Sequence, residues 1–137
     1  MAALDMENEP GKRVVLVDDS SMVRERLVGL ISELPGVTIV GQAAGAAEAI
    51  AEIRRLRPDV VVLDISIPGG NGLQVLATIK AETPAPTVIM LTNFAHEQYR
   101  RRCFELKADY FFDKSREFEK VLDVLQEITE ALPTTGR

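Results

Sequence analysis

Four short apolar runs, at 14–17, 37–40 (Val-Thr-Ile-Val), 60–63 and 88–91, punctuate the chain, and an aromatic run at 110–112 makes a fifth. Being mostly β-branched and without polar alternation, they predict strands buried on both faces, the habit of a parallel sheet. Between them the apolar spacing changes to three and four residues. Val23, Leu27, Leu30, Ile31 and Leu34 share one helical face, as do Ala46, Ala49, Ile50, Ile53 and Leu56, and again Phe118, Val121, Leu122, Leu125 and Ile128. Shorter helical segments fit 73–81 and 95–107. Strand followed by helix, five times over, predicts a doubly wound (βα)5 α/β fold of the flavodoxin-like kind. Its five-stranded parallel sheet has the order 2-1-3-4-5, and right-handed crossovers place helices on both faces.

The polar segment 1–12 and the short end 132–137 read as tails around one domain spanning 13–131. A chain of 137 residues that is 46% hydrophobic and 27% charged is too apolar for disorder and too evenly charged for a membrane span. Its net charge of −5 repels nucleic acid and anionic lipid, so neither is an expected partner. The single cysteine, Cys103, and the lack of an apolar leader in the first residues suggest a cytoplasmic protein.

In sheets of this kind ligand chemistry sits at the carboxyl ends of the strands. Four of the five ends are chemically loaded: Asp18 and Asp19 follow the first run, Asp64 the third and Thr92 the fourth, and Lys114 comes two residues after the fifth. The second ends in Gln42 and Ala43. With strands 1 and 3 adjacent, three carboxylates converge, and like charges so close raise one another's pKa unless a cation intervenes. A hard divalent ion answers this. Mg²⁺ suits one or two carboxylates, water and a phosphoryl oxygen, which points to phosphate chemistry. A carboxylate can attack phosphorus when positive charge surrounds the incoming group. Lys114 and the metal supply that charge, and Thr92 can donate a hydrogen bond.

These residues resemble the receiver domains of two-component response regulators over about residues 13–128. Asp18-Asp19 is similar to the family's acidic pair, and Val61-Val62-Leu63-Asp64-Ile65-Ser66-Ile67-Pro68 with Gly72 to its phosphoacceptor strand and loop. Leu91-Thr92-Asn93 and Ala108-Asp109-Tyr110-Phe111-Phe112-Asp113-Lys114 are similar to its hydroxyl and lysine motifs. The resemblance implies that Asp64 accepts the phosphoryl group, that Asp18, Asp19 and a backbone carbonyl at Ser66 join it in holding Mg²⁺, and that Thr92 and Phe111 form the switch. Two departures stand out. Ser115 occupies the place of a common proline with a cis peptide, a bond that without proline costs about 3–4 kcal/mol. The switch aromatic is Phe111, with no hydroxyl.

The expected function is therefore a stand-alone, phosphorylatable switch served by a histidine kinase or a histidine phosphotransfer protein. It would catalyse its own phosphorylation and dephosphorylation and be no other enzyme. A homodimer or output partner would use the face of the fourth helix, fifth strand and fifth helix, carrying Tyr99, Arg102, Lys107, Asp109 and Phe118. The alternative is the receiver half of a longer DNA-binding regulator. A flavin carrier of the same topology would need a glycine- and hydroxyl-rich anion loop after the first strand, where this chain has two aspartates. A haloacid dehalogenase phosphatase would need a second aspartate two residues beyond Asp19, where Ser21 stands. His96, the only histidine, and the run Arg100-Arg101-Arg102 read as exposed positions without a catalytic task.

Overall fold

The strands alternate their side chains between two faces, and each face builds its own core. In the computed structural model, which describes residues 11–134 and side chains to Glu130, five strands and five helices alternate. They are β1 (Lys12–Val17), α1 (Ser21–Ile31), β2 (Val37–Ala43), α2 (Ala46–Leu56), β3 (Val60–Leu63), α3 (Gly72–Lys80), β4 (Thr87–Thr92), α4 (Glu97–Glu105), β5 (Tyr110–Asp113) and α5 (Lys120–Thr134). All pairings are parallel and the order is β2-β1-β3-β4-β5, as the pattern predicts. Of the tails expected at 1–12 and 132–137, residues 1–10 and 135–137 lie outside the described residues, whereas β1 begins at Lys12 and the last helix runs on to Thr134, past the 131 expected as the end of the domain.

Val14 and Leu16 of β1, Val60 and Val62 of β3, and Ile89 and Leu91 of β4 point to one side and pack with Leu27 and Ile31 of α1 and Val121 and Leu125 of α5. Their sequence neighbours Val15, Val17, Val61, Leu63, Val88 and Met90 point to the other, against α2, α3 and Cys103 of α4. This two-residue alternation explains why β1 and β3, covered on both faces, read as unbroken apolar runs.

The helical boundaries are set by local chemistry that apolar spacing does not register. Leu34 lies beyond α1, and Phe118 lies in the turn before α5, buried in the core with the Arg26 guanidinium 4.1 Å over its ring. Phe118 is therefore not on an exposed partner face. Asn71 caps α3 by accepting from the Gln74 N–H at 2.9 Å. The Arg13 guanidinium, reaching from β1, donates to the Leu56 and Arg57 carbonyls at 2.6 and 2.9 Å and closes the end of α2. No helix among the described residues is long and apolar enough to cross a membrane.

Candidate functional site

The carboxyl edge of the sheet is assembled by main-chain bonds that run on past the strand ends. Asp18 N–H donates to Ala43 O at 3.1 Å, Asp64 N–H to Val17 O at 3.0 Å and Lys114 N–H to Thr92 O at 2.8 Å. Asp18, Asp64 and Lys114 are thus each fixed by the strand beside them. Asp18 and Asp64 are buried, Asp19 is exposed, and one oxygen from each of the three lies within 4.8 Å of the others. Lys114 Nζ bridges two of them, donating to Asp18 Oδ2 at 2.7 Å and Asp64 Oδ2 at 2.9 Å.

The second oxygens are also committed. Asp18 Oδ1 accepts from the Ser20 N–H at 2.9 Å, while the Ser66 N–H lies 3.4 Å from Asp64 Oδ1. Ser20, rather than Asp19, is the N-cap of α1, accepting from the Val23 N–H at 3.2 Å. Asp19 is left without a helical task. Gly72 permits the tight turn after Asp64: a Cβ there would sit 2.0 Å from the Asp64 carbonyl oxygen. No other residue type fits that approach.

The charge balance is uneven. Burial pushes the Asp18 carboxyl above its ordinary value, against the Lys114 and Ser20 hydrogen bonds, and Asp64 repels it further. Lys114 is pushed the same way for a different reason. Burial opposes its charge, but hydrogen bonds and attraction from two carboxylates outweigh that, so the ammonium is held above its ordinary value. One cation thus faces two buried carboxylates while a third, Asp19, stands beside them without an ion pair among the described residues. Three hard oxygen donors with a surplus of negative charge, and no sulfur or imidazole, fit Mg²⁺.

A cleft of about 370 Å³ opens here, lined by Asp18, Asp19, Asp64, Ser66 and Lys114 together with Ser20, Val23, Asn93 and Phe94. Phe94, at 40% exposure, was not marked by the hydrophobic pattern, because it lies in a loop. Thr92 does not line the cleft. It is fully buried, and its Oγ1 accepts from the Phe94 N–H at 3.1 Å. Neither Thr92 nor Asn93 caps α4, whose N-cap is His96. Phe111 lies inward at 5% exposure, with the Arg100 guanidinium 5.7 Å from its ring and 5.3 Å from that of Phe104. All three arginines are exposed, as expected of a solvated run, and Arg100 in addition lies over these two rings. Arg101 is exposed and Arg102 pairs with Glu105.

The family model for the response regulator receiver domain matches residues 14–126. The chain belongs to that family. This receiver domain is 34% identical over 127 residues to a protein-glutamate methylesterase/protein-glutamine glutaminase of Alkalilimnicola ehrlichii, covering 88% of this chain and 32% of that one. A two-component response regulator of the LuxR family from Aurantimonas sp. superposes with a TM-score of 0.80 at 30% identity, covering 88% and 86% of the two chains. A chain from the CheX–CheY–BeF3–Mg²⁺ complex of Borrelia burgdorferi superposes at 0.72 with 27% identity, covering 82% and 88%. The receiver spans about a fifth to a half of the length of the curated relatives it matches. Phosphorylation and Mg²⁺ are typical of the family, whose acidic pocket has its counterpart here in Asp18, Asp19 and Asp64.

Proposed function

We propose that this receiver is a Mg²⁺-dependent switch that takes a phosphoryl group onto Asp64 from the phosphohistidine of a kinase or phosphotransfer protein. The observation that carries the reading is Lys114 Nζ bridging Asp18 and Asp64, with a third carboxylate alongside. An Asp64 oxygen attacks phosphorus and the phosphorus–nitrogen bond of the donor breaks. Its electron pair stays on the imidazole, which takes a proton from solvent, and an acyl phosphate is left on Asp64.

Asp18, Asp19, Asp64 and the Ser66 carbonyl would hold the metal. When bound, Mg²⁺ offsets the negative charge gathered on the phosphoryl oxygens. Lys114, already 2.9 Å from Asp64 Oδ2, would add a second positive charge beside the incoming phosphoryl group. Thr92 is poised behind the cleft, and turning its hydroxyl from the Phe94 N–H toward a phosphoryl oxygen would free space beside β4. That movement reaches Phe111 through the paired strands β4 and β5, and from there the α4–β5–α5 face, where a homodimer or output partner would bind.

Acetyl phosphate with Mg²⁺ is the simplest test. Intact-mass analysis is expected to show one added phosphoryl group in the wild type, and none without Mg²⁺ or in Asp64→Asn. Equal uptake by Asp64→Asn would overturn the reading. A second reading is that the receiver is one part of a longer regulator, because it spans only a fifth to a half of its relatives, which include a methylesterase and a DNA-binding activator. The mass of the protein in its native cell decides between a stand-alone switch and that arrangement.

A further inference from the structure

The turn that carries Lys114 is fastened by a side chain that the phosphoryl chemistry does not use. Asp113 is the last residue of β5 and lies opposite Thr92 in the parallel register. Its Oδ1 accepts two hydrogen bonds from Ser115, one from the N–H and one from the hydroxyl, both at 2.9 Å. Its own N–H donates to Glu117 Oε1 at 2.9 Å, and its carbonyl accepts from the N–H groups of Glu117 at 2.7 Å and Arg116 at 3.2 Å. Lys114, between these anchors, donates its N–H to Thr92 O at 2.8 Å. The main chain is therefore pinned on both sides of the residue whose ammonium must reach two different strands. The Ser115 bonds hold the Asp113 carboxyl below its ordinary range, so it remains an ionised acceptor for both.

We propose that Asp113 is a positioning residue for Lys114, its carboxylate clamping Ser115 so that Lys114 Nζ reaches Asp18 and Asp64 together. Lysine's flexible stem does not by itself fix where its ammonium sits, so keeping contacts of 2.7 and 2.9 Å to two carboxylates at the ends of β1 and β3 depends on where its main chain is anchored. Ser115 fits this role because it brings both an N–H and a hydroxyl. A proline at that position would bring neither donor. The catalytic consequence rests on the phosphorylation reading above, whereas the placement of Lys114 does not.

Two readouts on the full chain separate these. Acylation of Lys114 by an N-hydroxysuccinimide ester, mapped by peptide mass spectrometry, reports its shielding without any phosphodonor. Phosphorylation by acetyl phosphate in Mg²⁺ reports the maximal rate and the half-saturating donor concentration. Asp113→Ala is expected to acylate several-fold faster at Lys114 and to lose about tenfold in maximal rate with half-saturation unchanged, as a misplaced group does. Asp113→Asn, which keeps the accepting oxygen, is expected to restore both. Wild-type shielding and rate in a folded Asp113→Ala would overturn the proposal, as would Asp113→Asn behaving like Asp113→Ala. Should Asp113→Ala not fold, Ser115→Ala, which removes one of the two bonds, decides by the same readouts. If the wild type takes no phosphoryl group, the switch reading fails while the acylation comparison still decides the role of Asp113.

Discussion

Replacing Lys114 by methionine keeps an unbranched stem and removes only the charge between Asp18 and Asp64. Their side chains are 4% and 6% exposed and that of Lys114 is 11% exposed, so water cannot take its place without rearrangement. Leaving buried charge without its partner costs about 3–5 kcal/mol. The two carboxylates can escape by sharing a proton, but binding one at pH 7 from an ordinary value of 3.8 itself costs about 4 kcal/mol. Both routes give the same scale, a large part of the 5–15 kcal/mol that holds a typical domain together.

The pH dependence follows from the directions of the shifts. Lys114 has a folded pKa above its ordinary 10.5, so its stabilisation is present below that value and is lost as pH rises through the folded one. Asp18 has a raised folded pKa, and without Lys114 it rises further. The folded variant then binds protons more tightly than its unfolded chain and regains stability as pH falls. Urea unfolding of wild type and Lys114→Met, followed by far-ultraviolet circular dichroism, is expected to show the gap at pH 7 shrinking toward pH 4.5. A gap below about 1 kcal/mol at pH 7, or one that widens on acidification, would refute the charge balance described here.

Other outcomes follow from the same geometry. Gly72→Ala forces a Cβ to 2.0 Å from the Asp64 carbonyl and 2.8 Å from Ile65 Cα, so a loss of at least about 3 kcal/mol is expected in urea unfolding; a wild-type midpoint would contradict it. Asp19→Asn removes an exposed like charge, which is expected to raise the melting temperature slightly in Mg²⁺-free buffer and to abolish the further rise expected of the wild type on adding MgCl2. Burial pushes the Cys103 thiol up to about 11, so alkylation by iodoacetamide at neutral pH is expected only at the rate of unfolding, and rapid labelling of the native protein would show the α4 packing to be wrong.

The strand ends were legible because the sheet rule needs only the first residues past each apolar run, which puts Asp18, Asp64, Thr92 and Lys114 at the carboxyl edge. What spacing alone could not supply is side-chain direction. The bridge from Lys114 to Asp18 crosses 96 positions of sequence, and Thr92 turns away from the cleft to its own loop. Phe94 and Asn93 entered the cleft from a loop without periodicity. Phe118 continued the apolar spacing of α5 but lies before its first turn, because the Asp113, Ser115 and Glu117 bonds give the chain a different local path there. Another cavity, of about 460 Å³ between Arg57, Pro58 and the Thr83-Pro84-Ala85-Pro86 loop, lies at the opposite edge of the sheet and shares no residue with the carboxylate cleft.

The most direct test of the central claim is to trap the modified side chain itself. After exposure to acetyl phosphate and Mg²⁺, borohydride reduces an aspartyl phosphate to homoserine, which peptide sequencing by mass spectrometry places at a single position. Homoserine at 64, with Asp18 and Asp19 recovered unchanged, is the result the structure predicts. Homoserine at 18 or 19, or none despite phosphoryl uptake, would contradict it.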